Sequence, residues 1–73
     1  MAPEKNNPEK DRTVREAILT EIEDYDGEYM PKAKLVESLI GEFSLELING
    51  GLLQLGQRGQ IVQNGNTSEY RVN

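Results

Sequence analysis

The sequence predicts a small α+β domain: three helices, a short extended piece after the first, and a β-hairpin at the end. Three observations predict it. Apolar residues recur at helical spacing over residues 13–25, again over residues 35–40 and again over residues 45–55. The pattern then changes to two short runs, Gln60-Ile61-Val62-Gln63 and Ser68-Glu69-Tyr70-Arg71-Val72, with β-branched or alternating residues. Between these runs lies Asn64-Gly65-Asn66-Thr67, and Asn-Gly is strong hairpin-turn chemistry.

Residues 1–11 hold two prolines and mixed charges with almost nothing apolar, which reads as a disordered tail. Residues 12–73 are then the domain. Thr13-Val14-Arg15-Glu16 has capping-box spacing, so the first helix is expected over residues 13–25. Val14, Ala17, Ile18, Ile22 and Tyr25 form its apolar face, and Asp26-Gly27 ends it, with Gly27 free to take a positive φ. Glu28-Tyr29-Met30 is extended because Pro31 disfavours the helical region in the residue before it. Pro31 also suits the start of a second helix, whose stripe is Leu35, Val36, Leu39 and Ile40 and which Gly41 closes.

Ser44 is the expected N-cap of a third helix, with Leu45, Ile48, Leu52 and Leu55 as its stripe and Leu53 alongside. Gly50, Gly51 and Gly56 each cost about 1 kcal/mol relative to alanine inside a helix, so tertiary packing must hold it. Gly51 lies on the stripe, where a missing side chain lets a neighbouring helix come close. Gly59 supplies the C-terminal cap. Tyr25, Tyr29, Phe43 and Tyr70 are expected at the core or its edge.

The chain has 73 residues, enough for one domain with a modest core. It contains neither cysteine nor histidine. That removes disulfides, thiolate zinc sites, the usual general base near neutral pH and the commonest metal ligand. The acidic stretch Glu21, Glu23, Asp24, Asp26 and Glu28 has no calcium-loop spacing. It reads either as a solvated face or as a surface that mimics nucleic acid or recruits a basic partner. No enzyme, metal or cofactor is expected. No apolar run is long enough for a bilayer, and residues 1–11 lack a secretory signal, so a cytoplasmic protein without a membrane partner is expected.

Charge is unevenly placed. The net charge is −5, yet residues 44–73 carry Arg58 and Arg71 against Glu46 and Glu69 and are neutral as a group. That neutral part is rich in amides, among them Asn49, Gln54, Gln57, Gln60, Gln63, Asn64 and Asn66.

Helix, short strand, helix, helix and hairpin, together with Leu52-Leu53-Gln54-Leu55-Gly56-Gln57-Arg58-Gly59-Gln60-Ile61-Val62 and Tyr70-Arg71-Val72, resemble the winged-helix family. Within it the chain looks most similar to the small winged helix at the carboxyl end of archaeal minichromosome maintenance helicases, or to short prokaryotic or viral regulators. The resemblance implies a helix-turn-helix core whose third helix enters the major groove of DNA while the wing meets the backbone or the minor groove. Mapped here, the outward positions of that helix are Glu46, Asn49, Gly50, Gln54, Gln57 and Arg58. The candidate contacts are Lys32, Lys34, Asn49, Gln54, Gln57, Arg58, Asn64, Asn66 and Arg71. Asparagine and glutamine suit adenine, and Arg58 suits guanine or phosphate. A regulator of transcription or replication is therefore expected, acting alone or as a homodimer on two half-sites. The alternative is a winged helix that docks a replication or transcription protein through its acidic or amide-rich face.

Overall fold

The first helix extends further towards the amino end than its apolar pattern implies. In the computed structural model, which describes residues 8–73, α1 runs Pro8–Asp24. Proline is tolerated there because the first amides of a helix have no intrahelical acceptor. Thr13 thus lies inside the helix, and its capping-box spacing does not mark the helix start. Of the expected tail, residues 1–7 lie outside the described residues, whereas residues 8–11 are helical. Val14, Ile18 and Ile22, one per turn, form the buried face. Gly27 answers a need for space, not for a left-handed backbone. Its φ is not positive, and a Cβ there would stand 2.5 Å from a Tyr25 ring carbon.

Strand β1 is only Met30–Pro31, and α2 follows at once over Lys32–Leu39. Pro31 is its N-cap, so proline sits one position earlier than the first helical residue. Leu35 and Leu39 are buried. Ile40, expected on the same stripe, is the C-cap and is half exposed.

Helix α3 runs Leu45–Gln57. Ser44 caps it as expected, its Oγ accepting from the Leu47 amide at 3.2 Å. The buried residues are Ile48, Gly51, Leu52 and Leu55. Gly51 thus takes a place on the core stripe, and the helix is rotated so that Leu45 and Leu53 turn outward. The reason is the contact with α1. A Cβ on Gly51 would lie 2.8 Å from Ile18 Cδ1 and 3.4 Å from Val14 Cγ1.

The end of α3 is a Schellman motif. Gly59 adopts φ +74, its amide donates to the Gly56 carbonyl at 3.1 Å, and the Gln60 amide donates to the Leu55 carbonyl at 2.9 Å. Gly59→Ala is expected to cost about 1 kcal/mol, because a Cβ in the left-handed region meets the following carbonyl. A lowered urea midpoint with an unchanged m-value would show it.

Strands β2 (Ile61–Gln63) and β3 (Glu69–Val72) form the hairpin. Gly65, at φ +59, holds the first central position of the turn Asn64–Thr67, which the Thr67 amide closes onto the Asn64 carbonyl at 3.0 Å. The sheet order is β1-β3-β2, antiparallel throughout, with Met30 opposite Tyr70 and Gln63 opposite Tyr70 on its other side. The core gathers Val14, Ile18, Ile22, Met30, Leu35, Leu39, Ile48, Leu52, Leu55 and Ile61, with no buried polar residue among those described. Tyr25, Phe43 and Tyr70 pack at its edge. No described helix is long and apolar enough to cross a membrane.

Candidate functional site

Burial of Ile48, Gly51, Leu52 and Leu55 leaves Asn49, Leu53 and Gln57 as an outward row on α3, one per helical turn. Asn49 and Gln57 are exposed, and Leu53 is 63% exposed. The row forms one wall of a groove of about 540 Å³, completed by Leu52, Gly56, Ile61, Gln63, Tyr70 and Lys32. Lys32 reaches it because β1 passes straight into α2 beside β3, its amide donating to the Ser68 carbonyl at 2.7 Å. It is the one ionised side chain of that lining; the rest is amide or apolar apart from the Tyr70 phenol.

A second hollow, of about 190 Å³, lies between α1 and the carboxyl end of α3. Arg12, Arg15 and Arg58 converge on it, with Glu16, Leu19, Leu55 and Gln60. Arg12 and Arg15 share a face of α1 because they are three apart. The Arg15 guanidinium donates to Gln54 Oε1, which ties α1 to α3. The two concavities share no lining residue and flank α3 on opposite sides.

The nine residues singled out from the sequence therefore separate. Lys32, Asn49 and Gln57 come together in the groove. Gln54 does not point outward; it is half-buried and bound to Arg15 on the α1 side. Arg58 belongs to the second hollow. Lys34 is exposed in the first turn of α2, where no carboxylate offsets the helix dipole. Asn64 donates its amide to the Glu69 carboxylate at 3.1 Å, and Asn66 is exposed at the wing tip.

Arg71 lies on the opposite face of the sheet from Tyr70, as neighbours in a strand must. There its guanidinium sits 5.5 Å from the Tyr29 ring centroid and 3.9 Å from Glu28 Oε2. It is thus turned away from the groove. The acidic stretch also keeps out of both hollows: Glu21 accepts from the Ser38 hydroxyl at 2.7 Å, and Glu28 faces Arg71.

Arg12, Arg15, Gln63 and Tyr70 are site residues that the sequence pattern does not single out. Among the described residues no cluster of three or more acidic side chains is placed to hold a metal ion.

Helix, strand, two helices and a hairpin whose second strand returns to pair with β1 make this a winged-helix-like α+β fold, with β2 and β3 as its wing. Compared with protein-family models, curated proteins and solved structures, the chain matches none.

Proposed function

We propose that this protein is a duplex-DNA-binding module that presents α3 to the major groove and meets the phosphate backbone on both flanks of that helix. One observation carries the reading. In a chain of net charge −5, Arg12, Arg15 and Arg58 gather on one flank of α3 and Lys32 stands on the other. Between them the helix face is neutral apart from Glu46. Flanking cations with an uncharged, amide-bearing helix face are what phosphate positioning and base reading require of separate residues. Such a role suits a small regulator of transcription or replication, of the kind to which residues 52–62 and 70–72 are similar, working in the cytoplasm. The rival reading, a protein-docking winged helix, draws on the half-exposed Ile40 and Leu45 and on Leu53.

The test is a fluorescence-anisotropy titration of a labelled duplex across a salt series. Binding is expected at ~20 mM salt, with log K falling linearly against log salt by about 0.9 per phosphate contact. Four flanking cations thus predict a slope of roughly −3 to −4. No binding at low salt, or a slope near zero, would overturn the reading in favour of a protein partner.

Glu46 offers a second check. It is exposed in the first turn of α3 and is that helix's one carboxylate. Glu46→Gln is expected to tighten duplex binding about two- to fivefold at low salt, because an exposed like charge near phosphate costs roughly 0.5–1 kcal/mol.

A further inference from the structure

We propose that the module prefers A·T base pairs in the major groove, read by Asn49 and Gln57 as adenine contacts and by Leu53 as a thymine-methyl contact. The proposal rests on the DNA-binding reading and adds the sequence class. It starts from which amides are available. Gln54 is bound to Arg15, and Asn64 to Glu69. Asn49 and Gln57 make no side-chain hydrogen bond to any described residue and line the same groove.

A carboxamide carries one acceptor and a donor pair, which matches the N7 acceptor and N6 donor that adenine shows in the major groove. Guanine shows two acceptors there and is matched by arginine or lysine. The outward row of α3 contains neither: Arg58 belongs to the hollow on the α1 side, and Lys32 stands on the opposite wall of the groove. Leu53 stands at the centre of the row, 63% exposed between two amides. Thymine's C5-methyl is the apolar group on the major-groove edges that such a side chain can meet.

Spacing agrees with this assignment. Residues four apart on a helix rise about 6 Å, close to two base-pair steps of about 3.4 Å, so the row addresses alternate pairs over a short site. Gly50 and Gly56 help, since α3 projects no side chain at either place and a Cβ there would meet nothing within 4 Å. The backbone can therefore approach the base edges closely. Glu46 lies in the first turn of α3, outside the groove lining, so its carboxylate takes no part in this readout.

The experiment compares three duplexes of equal length: an A·T core, a G·C core, and the A·T core with deoxyuridine replacing thymidine. The last removes only the C5-methyl groups. The A·T core is expected to bind about tenfold or more tighter than the G·C core, as one good bidentate contact discriminates by that much. Deoxyuridine is expected to weaken wild-type binding roughly threefold and to leave Leu53→Ala unaffected, because only the apolar methyl contact is lost. The Asn49→Ala/Gln57→Ala variant is expected to bring the A·T to G·C ratio towards one while keeping the wild-type salt slope. Equal affinity for the A·T and G·C cores, with salt-dependent binding intact, would overturn this proposal and leave the DNA-binding reading standing. Failure to bind any of the three at low salt would overturn both. A deoxyuridine effect that persists in Leu53→Ala would remove Leu53 from the readout.

Discussion

Gly51→Leu is expected to remove about 3 kcal/mol or more of the stability of this domain, a large part of the total, and thermal unfolding should move to a much lower temperature. Helices α1 and α3 meet at this residue: a single Cβ would already lie 2.8 Å from Ile18 Cδ1 and 3.4 Å from Val14 Cγ1. Neither neighbour has room to yield, being 0% and 1% exposed respectively. Valine is also stiff at χ1. Extra methylenes in a packed core cost about 1–3 kcal/mol, and a leucine side chain is at or beyond the top of that range. At about 0.05–0.15 kcal/mol per residue, a domain of this size has on the order of 4–11 kcal/mol in total.

Gly50→Ala and Gly56→Ala are matched controls on the same helix. A Cβ at either meets nothing within 4 Å, so each should gain up to about 1 kcal/mol of helix propensity. Circular-dichroism melts should show the Gly51 variant falling while the controls rise by several degrees, at roughly 4–8 °C per kcal/mol for small domains. A Gly51→Leu variant as stable as the wild type would mean that the two helices do not touch there.

Joint replacement of Arg12, Arg15 and Arg58 by alanine is expected to weaken duplex binding by on the order of 100-fold at low salt. Each charge-assisted contact to phosphate contributes about 1 kcal/mol or more net. The salt slope should fall in magnitude by roughly 2.7, at about 0.9 for each contact removed. The slope is the sharper readout, because a fold defect would lower affinity without lowering the charge count at the interface. Arg71→Ala is the control: that guanidinium stands by Glu28 and Tyr29 on the far face of the sheet, so its loss should leave affinity and slope nearly unchanged. Equal effects of the two variants would contradict the placement of the interface.

The elements were legible because each has its own local signal. Ser44 as N-cap, Gly59 as C-terminal cap, Asn64-Gly65 at the turn and Gly51 as a point of helix contact could all be read from neighbours in sequence. The amino end of α1 was not. Thr13 to Glu16 imitates a helix start, while Pro8 to Asp11 has no apolar periodicity, and so Arg12 falls at the margin of the domain. Once the helix begins at Pro8, Arg12, Arg15, Glu16 and Leu19 become one row at spacings of three, one and three, and the basic hollow follows. Its third member, Arg58, comes from a residue 43 positions after Arg15, which no local pattern predicts.

Adjacent leucines posed a different difficulty. Leu52 and Leu53 point about 100° apart on a helix, so only one can be central to the core. Periodicity alone treats Leu45 and Leu52 as equals and does not say which of them gives way to Gly51. The side facing α1 is decided by closeness of approach, which favours glycine, and that rotation places Leu53 at 63% exposure in the middle of the groove wall. Arg71 shows the same limit in a strand. Alternation with Tyr70, which packs at the core edge as expected, turns Arg71 to the other face, but nothing local says that Glu28 and Tyr29 meet it there.

The middle strand of the sheet is the latest of the three in sequence. β1 and β2 have no hydrogen bonds to each other, and each waits for residues 69–72 to supply a partner. The wing and the return to β1 therefore share one strand, and neither ladder exists without it. The groove, whose far wall includes Ile61, Gln63 and Tyr70, therefore rests on the same strand. The arginine hollow, lined from α1, the end of α3 and Gln60, draws no residue from that strand, so the two concavities differ in what they depend on.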